Sequence, residues 1–176
     1  MQTLIEHLSS YASYHRDRRN IATHFIGVPM IVVGVATLLS RPAFVVGGVS
    51  LSAAMLAIAG SLLFYFLLDL RYALAMTVFM GGAGYVGACL AAQSTSVWLG
   101  AGLGLFVVGW AIQFIGHAYE GKKPAFVDDI AGFLIGPLFV AAEAGFMLWL
   151  RKGVLQEIEI NAGPTHGAPT AEPTRA

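Results

Sequence analysis

The sequence predicts an all-α protein, a polytopic bundle of membrane helices. Of its 176 residues, 57% are hydrophobic and only 11% are charged, whereas a soluble domain usually carries about 25% charged residues. The apolar residues gather in five stretches, at roughly 24–40, 43–68, 72–92, 97–117 and 126–150. Because a bilayer interior has no water to satisfy backbone groups, a helix is expected for each of them.

The first element predicted is an amphipathic helix over residues 3–15. Four side chains recur at the i, i+4, i+7, i+11 spacing of one helical face: Leu4, Leu8, Tyr11 and His15. This face is expected to point inward, with His15 at its end. Asn20 then predicts an N-cap, so that the first membrane helix begins near Ile21.

The membrane segments predict four crossings followed by a broken or re-entrant fifth segment. The fifth stretch begins with acidic residues and contains Pro137, where we expect the break. If this stretch folds back, every one of the 10 Lys and Arg residues except Arg41 lies on the side of the N-terminus. By the positive-inside rule that side is cytoplasmic, in a bacterial inner membrane or an ER-type membrane.

The domain organisation predicted is a membrane helical catalytic domain over residues 1–152 and a disordered tail over residues 153–176. The tail is rich in Glu, Pro, Thr, Ala and Gly, and no role is expected for its His166. Within the membrane domain, Gly100 and Gly104 have the spacing of small residues that lets membrane helices approach closely.

Three histidines lie where apolar stretches meet water, and all three fall on the same side of the predicted membrane. They are His15 before the first stretch, His24 at its start and His117 at the end of the fourth. Neutral imidazole is a common metal ligand, and ionisable groups inside membrane segments usually mark function. We therefore predict that these histidines are catalytic and bind one metal ion.

Further residues are candidates for supporting this site. Gln113, His117 and Glu120 share one helical face, which makes Glu120 a possible fourth ligand and Gln113 a hydrogen-bond partner for His117. Asn20 is also placed beside the cofactor. Two more possible ligands or supporting groups are His7 and Glu143.

The ligand set limits the metal but does not select one. Histidines with at most one carboxylate suit iron, zinc or copper, whereas calcium and magnesium prefer oxygen ligands. An iron site would bind O₂ and a chelating substrate, and a zinc site would activate water. Four basic residues flank the histidines and would hold a substrate carboxylate, unless they only mark topology: Arg16, Arg19, Lys122 and Lys123.

Two motifs resemble the membrane 2-hydroxy fatty acid dioxygenase family. The first is Y-x-x-x-H-x-x-x-x-N-x-x-x-H-x-x-G-x-P, which begins at Tyr11 and ends at Pro29. The second is W-x-x-Q-F-x-G-H followed by E-x-x-x-P-A, which begins at Trp110 and ends at Ala125. The resemblance covers about residues 1–150 and leaves the tail outside.

This resemblance implies an iron(II)-dependent enzyme that α-oxidises 2-hydroxy fatty acids with O₂. The products would be CO₂ and a fatty acid one carbon shorter, and the family histidines carry over to His15, His24 and His117 as iron ligands. The partners expected are the fatty acid, O₂ and the lipid bilayer. The zero net charge argues against nucleic acid as a partner. The alternatives are a zinc-dependent membrane lipid hydrolase and a non-catalytic membrane scaffold or small transporter.

Overall fold

The fold is helical, as predicted, with one short hairpin that the sequence analysis did not anticipate. A computed structural model describes residues 2–41, 43–122 and 131–167. Its elements in chain order are α1 Leu4–Ala12, α2 Arg18–Ser40, β1 Ala43–Val46, β2 Val49–Ser52, α3 Ala53–Leu68, α4 Leu70–Ala91, α5 Thr95–Glu120, α6 Gly132–Met147 and α7 Lys152–Ala162.

The connection from α1 to α2 brings the first histidine to the bundle. Thr3 and Glu6 form a capping box at the start of α1, and the helix ends at Ala12. His15 therefore lies in the turn between the helices rather than on α1. The predicted N-cap at Asn20 is wrong, because the Asp17 carboxylate accepts the Arg19 N–H at 2.8 Å and α2 begins at Arg18.

Within the described residues, three helices are long and apolar enough to cross a membrane: α2, α4 and α5. A fourth span arises if α6 and α7, which are bent by 118° at their junction, count as one. The fifth segment is therefore broken, but not at Pro137, which lies inside α6. The break follows Met147, where Trp149 and Arg151 adopt left-handed backbone conformations that end the helix.

The second predicted stretch, 43–68, is divided between a β-hairpin and the 16-residue helix α3. The strands β1 and β2 pair antiparallel, with Val46 opposite Val49. Gly47 and Gly48 form the turn, and both have positive φ angles. A two-residue turn of this kind needs glycine because L-residues rarely adopt such angles. The helix predicted over 43–68 therefore begins only at Ala53, within a fold that is otherwise helical as predicted.

The predicted disordered tail is wrong for the segment that forms α7. Ile158 on this helix is completely buried and belongs to the same apolar core as Leu4 and Leu8 of α1. One apolar stripe on a helix is enough to dock it when another helix offers a matching face. The tail residues 168–176 lie outside the described part of the chain.

Close packing of α2 on α5 depends on glycines seven residues apart. A Cβ added to Gly109 would lie 2.9 Å from the carbonyl oxygen of Gly27, and a Cβ on Gly27 would lie 2.9 Å from that of Gly109. Gly102 and Gly116 are similarly crowded by side chains of α2. The spacing of Gly100 and Gly104 predicted that they would allow this close helix packing, but a Cβ at either position would meet open space.

Alanine is expected to affect stability differently at two glycines of α5, Gly109, which is crowded, and Gly104, which is not. Gly109→Ala forces the α2 backbone away and should cost about 1–3 kcal/mol of unfolding free energy, as overpacking usually does. Gly104→Ala, on the same helix, should be neutral or stabilising because alanine favours helix by up to about 1 kcal/mol. Thermal unfolding of both variants in detergent micelles measures the difference; equal melting temperatures would contradict the packing described here.

Candidate metal centre

The three predicted histidines converge in the folded chain. His15 comes from the turn after α1, His24 from α2 and His117 from α5, and they are 0%, 2% and 6% exposed. The ring centroids are 4.4 Å apart for His15 and His24, 4.9 Å for His15 and His117, and 5.4 Å for His24 and His117. Three distant parts of the sequence thus form one imidazole cluster.

Backbone carbonyls fix the orientation of two of these rings. Nδ1 of His15 lies 2.7 Å from the carbonyl oxygen of Tyr11, and Nδ1 of His24 lies 2.9 Å from that of Asn20. Because a carbonyl only accepts hydrogen bonds, each Nδ1 carries the proton and each Nε2 keeps its lone pair. This arrangement is typical of histidines that bind a metal through Nε2.

The cluster fits a metal ion better than it fits a hydrogen-bonded core. One ligand atom from each histidine lies within 4.8 Å of the others. Nε2 of His15 and Nδ1 of His117 are buried and have no hydrogen-bond partner among the described residues, which is costly unless a ligand satisfies them. Burial, and secondarily the nearby His24, lower the pKa of His15 well below its usual range. This favours the neutral form that metal binding requires.

Glu120 does not join the cluster, contrary to the prediction that it is a ligand. Its carboxylate accepts the backbone N–H groups of Arg16 at 3.0 Å and Asp17 at 2.7 Å, and the side-chain amide of Asn20 at 3.1 Å. These three donors take up most of the roughly four acceptor sites of a carboxylate, and Glu120 is not in the group of ligand atoms that lie close together. Glu120 instead connects the end of α5 to the turn that carries His15.

The two amides predicted to lie beside the cofactor have different surroundings. Asn20 donates from its side-chain amide to Glu120 and accepts from His24 with its backbone carbonyl, so it contacts the cluster through its backbone and not through its amide. Gln113 makes no hydrogen bond to His117, contrary to prediction. Both of its amide atoms are buried without a partner among the described residues, and the side chain is 3% exposed.

The basic residues predicted to hold a substrate carboxylate are mostly engaged elsewhere. Arg16 is buried and donates to the carbonyl oxygens of Ala12, His15 and Gly163. Arg19 pairs with Asp17 at 2.7 Å, and this bond lowers the pKa of Asp17 to about 2. Lys122 donates to the carbonyl of Ser13, and Lys123 lies outside the described residues.

His7 and Glu143 lie outside the imidazole cluster as well. The ring of His7 packs edge-on against Phe64 at 5.7 Å. A carboxylate oxygen of Glu143 lies 3.7 Å from the Arg16 guanidinium. Glu143 thus provides a counter-charge for a buried arginine, which is the usual condition for a charge in an apolar interior.

A cavity of about 60 Å³ opens beside the imidazole cluster. Its lining side chains with polar atoms are His24, His117, Tyr11, Trp110 and the unpartnered Gln113. Apolar side chains form the rest, among them Val28 and Phe133. We call this space the head pocket.

Comparison with known proteins identifies the family. A family model described as 2-hydroxy-palmitic acid dioxygenase Mpo1-like matches residues 1–148. The chain belongs to this family. It is also 30% identical over 159 residues to the 2-hydroxy-palmitic acid dioxygenase MPO1 of Saccharomyces cerevisiae, an alignment that covers 87% of this chain and 88% of the yeast protein. No solved structure matches the chain significantly.

In this member of the Mpo1-like family, two aromatic residues pack against the imidazole cluster. Neither was predicted from the sequence to support it. Tyr11 stacks on His15 with ring centroids 4.1 Å apart and planes 5° from parallel. Phe139 of α6 packs on both rings, at 5.1 Å from Tyr11 and 5.6 Å from His15. Tyr11, four residues before His15, was placed on the same helical face, but no sequence pattern indicates that Phe139 reaches the site.

Proposed function

We propose that this protein is an iron(II)-dependent dioxygenase that converts a 2-hydroxy fatty acid into CO₂ and a fatty acid one carbon shorter. The convergence of three buried imidazoles, in a chain of the 2-hydroxy-palmitic acid dioxygenase family, carries this proposal. The name of the yeast relative supports the same substrate class. A zinc hydrolase remains the competing enzyme class, and the tests below separate the two.

The reaction balances with O₂ as the only co-substrate. A 2-hydroxy acid, R–CH(OH)–COOH, and O₂ give R–COOH, CO₂ and H₂O. The C1–C2 bond breaks, C1 leaves as CO₂, and C2 becomes the new carboxyl carbon. The substrate loses four electrons, which O₂ takes up.

In this proposal His15, His24 and His117 hold the ion. Iron(II), when bound, supplies the redox chemistry that activates O₂, which zinc lacks. The carbonyls of Tyr11 and Asn20 keep two of the imidazoles in the required tautomer. Tyr11 and Phe139 cover the cluster, and their apolar surfaces keep bulk water from the reacting groups.

Gln113 is proposed to bind the polar end of the substrate. It is the wall residue of the head pocket whose amide nitrogen and oxygen are both unpartnered. A 2-hydroxy acid offers the complementary pair, because its carboxylate accepts from Nε2 and its hydroxyl donates to Oε1. Of the basic residues first considered for the carboxylate, the three described ones, Arg16, Arg19 and Lys122, are bonded to backbone or acidic groups, which favours Gln113 for this role.

The metal centre is proposed to face the cytoplasm. It lies at the N-terminal end of α2 and the C-terminal end of α5. Arg18, Arg19 and Lys122 lie at this end, whereas Arg41 lies at the opposite end of α2. The excess of basic residues beside the centre marks the cytoplasmic side by the positive-inside rule.

The proposed function is tested with protein purified without oxygen and loaded with iron(II). We expect air and 2-hydroxypalmitate labelled at C1 with ¹³C to yield ¹³CO₂ and unlabelled pentadecanoate in equal amounts. Zinc-loaded protein should give neither product. Release of a fatty acid from an ester or amide by the zinc form, without oxidation by the iron form, would support the hydrolase instead.

Gln113→Leu is expected to weaken substrate use without affecting the metal. Losing hydrogen bonds to a charged group costs about 1.5–3 kcal/mol, so kcat/KM should fall roughly 10- to 150-fold. Iron content should stay at the wild-type level because Gln113 contacts no imidazole by hydrogen bond. Gln93→Leu, at an exposed position beyond α4, is the matched control. A Gln113→Leu variant with unchanged kcat/KM would refute the assignment.

A further inference from the structure

A second, larger cavity lies next to the head pocket, in the membrane part of the bundle. It has a volume of about 290 Å³ and lies between α2, α3, α4 and α6. We call it the tail chamber. Four residues line both spaces, which makes them neighbours: Ile31, Val32, Phe133 and Pro137.

The two spaces differ in polarity in the way an amphiphile requires. Ser61 and Tyr65 are the side chains with oxygen atoms among the described lining residues of the tail chamber. Both hydroxyls are already bonded to backbone carbonyls, at 2.8 Å to Ala57 and 2.8 Å to Leu134 respectively. The tail chamber therefore offers no free polar atom in its described lining, whereas the head pocket offers those of Gln113 and His117.

The tail chamber runs along α2, away from the metal centre. Its lining on this helix extends from Ile31 to Leu39, and Leu39 lies 15 residues beyond His24. At 1.5 Å per residue this corresponds to about 22 Å along the helix axis. A long alkyl chain whose polar end is at the imidazoles would follow this direction into the bundle.

The end of the tail chamber far from the histidines is lined by small side chains. Ala36, Ala54 and Ala83 come from three different helices, line the chamber and are all buried. A larger side chain at any of them would fill space that is now empty. In a close-packed interior such empty apolar space is unusual, and it favours an apolar ligand.

We propose that the alkyl tail of the substrate occupies the tail chamber, and that Ala36, Ala54 and Ala83 set the longest chain accepted. This inference rests on the proposed function, which supplies the identity of the substrate's polar end as a 2-hydroxy carboxylate. It adds a specificity determinant at a distance from the residues that hold the ion. Each methylene excluded from the chamber reduces affinity by up to roughly fourfold, since transfer of one out of water contributes about 0.8 kcal/mol and transfer out of lipid contributes less.

Two variants with opposite expected effects test the inference on the iron-loaded protein. Ala83→Leu shortens the chamber, so kcat/KM for the longest 2-hydroxy fatty acids should fall roughly tenfold relative to the shortest. Leu39→Ala enlarges it and should shift the preference toward longer chains. Ala88→Leu, which faces outward on the same helix as Ala83, is the matched control and should leave the profile unchanged.

Binding measured without O₂ separates this inference from the proposed function. Displacement of a fluorescent fatty acid by 2-hydroxy acids of graded length should show the same shifts in preference as turnover. If the variants shift the chain-length preference in binding but the iron-loaded protein turns over no substrate, the result would support the tail chamber and contradict the proposed oxidation. Unshifted preference in both folded variants, checked by thermal unfolding, would overturn the chamber even if wild-type turnover is confirmed.

Discussion

His24→Ala is expected to abolish iron binding and to lower turnover of 2-hydroxy fatty acids by more than roughly 100-fold. Altering groups that only orient metal ligands already costs about 10- to 100-fold, and His24 is one of the three proposed ligands themselves. The side chain is 2% exposed and held by the Asn20 carbonyl, so its loss removes an oriented, buried imidazole. Iron content and product formation after anaerobic reconstitution measure the two effects.

His7→Ala is the matched control for this experiment. It removes an imidazole from the same end of the protein, but one that packs against Phe64 and lies outside the cluster. Iron content and turnover should remain at the wild-type level. Retention of both by folded His24→Ala protein would instead favour a non-catalytic scaffold or transporter.

Glu120→Ala is expected to disrupt the metal centre without removing a ligand. The substitution leaves the backbone N–H groups of Arg16 and Asp17 without their acceptor. These two residues directly follow the proposed ligand His15 in the sequence. Unsatisfied buried donors cost about 1–3 kcal/mol each, so loss of the acceptor for two of them should lower the free energy of unfolding by roughly 2–6 kcal/mol. The turn that carries His15 should loosen, with about 10- to 100-fold weaker iron binding.

Glu120→Gln distinguishes the role of the side chain as a hydrogen-bond acceptor from the role of its negative charge. One oxygen remains as an acceptor in the variant, while the charge is lost. It should retain more stability and iron affinity than Glu120→Ala. Glu157→Gln, at an exposed position on α7, should leave both unchanged. If Glu120→Ala loses turnover and iron while its stability is unaffected, the carboxylate is a ligand after all and the positioning role is wrong.

The sequence placed the three histidines on one side of the membrane, because apolar stretches of membrane length fix the side on which each residue lies. A shared side does not by itself bring imidazoles together, since His7 lies at the same end of the protein and outside the cluster. The break between α1 and α2 was also expected, because His15 and His24 on one unbroken helix would point in opposite directions. Its cap was misplaced, since both Asp17 and Asn20 suit that position.

The partners of the polar side chains could not be predicted in the same way. His117 and Glu120 are three residues apart on α5, which is compatible with two ligands, yet the carboxylate reaches the backbone of a distant turn. Such a bond depends on where the turn after α1 lies in space, and helical spacing carries no information about that position. Gln113 was misassigned for the same reason.

Two parts of the fold prediction were wrong for separate reasons. Gly47 and Gly48 between β-branched residues are a hairpin signal, but the apolar run around them was assigned to a membrane helix. The segment of α7 is polar enough to suggest disorder, and only the presence of α1 gives Ile158 a core in which to be buried. The hairpin therefore follows from a local turn signal, whereas α7 depends on its tertiary contact with α1.

X-ray absorption at the iron edge of the reconstituted protein tests the central claim most directly. Three imidazoles around one ion predict a shell of nitrogen scatterers at about 2.1 Å, the usual metal–imidazole distance, with the outer-shell scattering of histidine rings. The signal should diminish in each histidine-to-alanine variant that still retains iron. A shell of oxygen atoms without ring scattering would show that the imidazole cluster does not hold the ion.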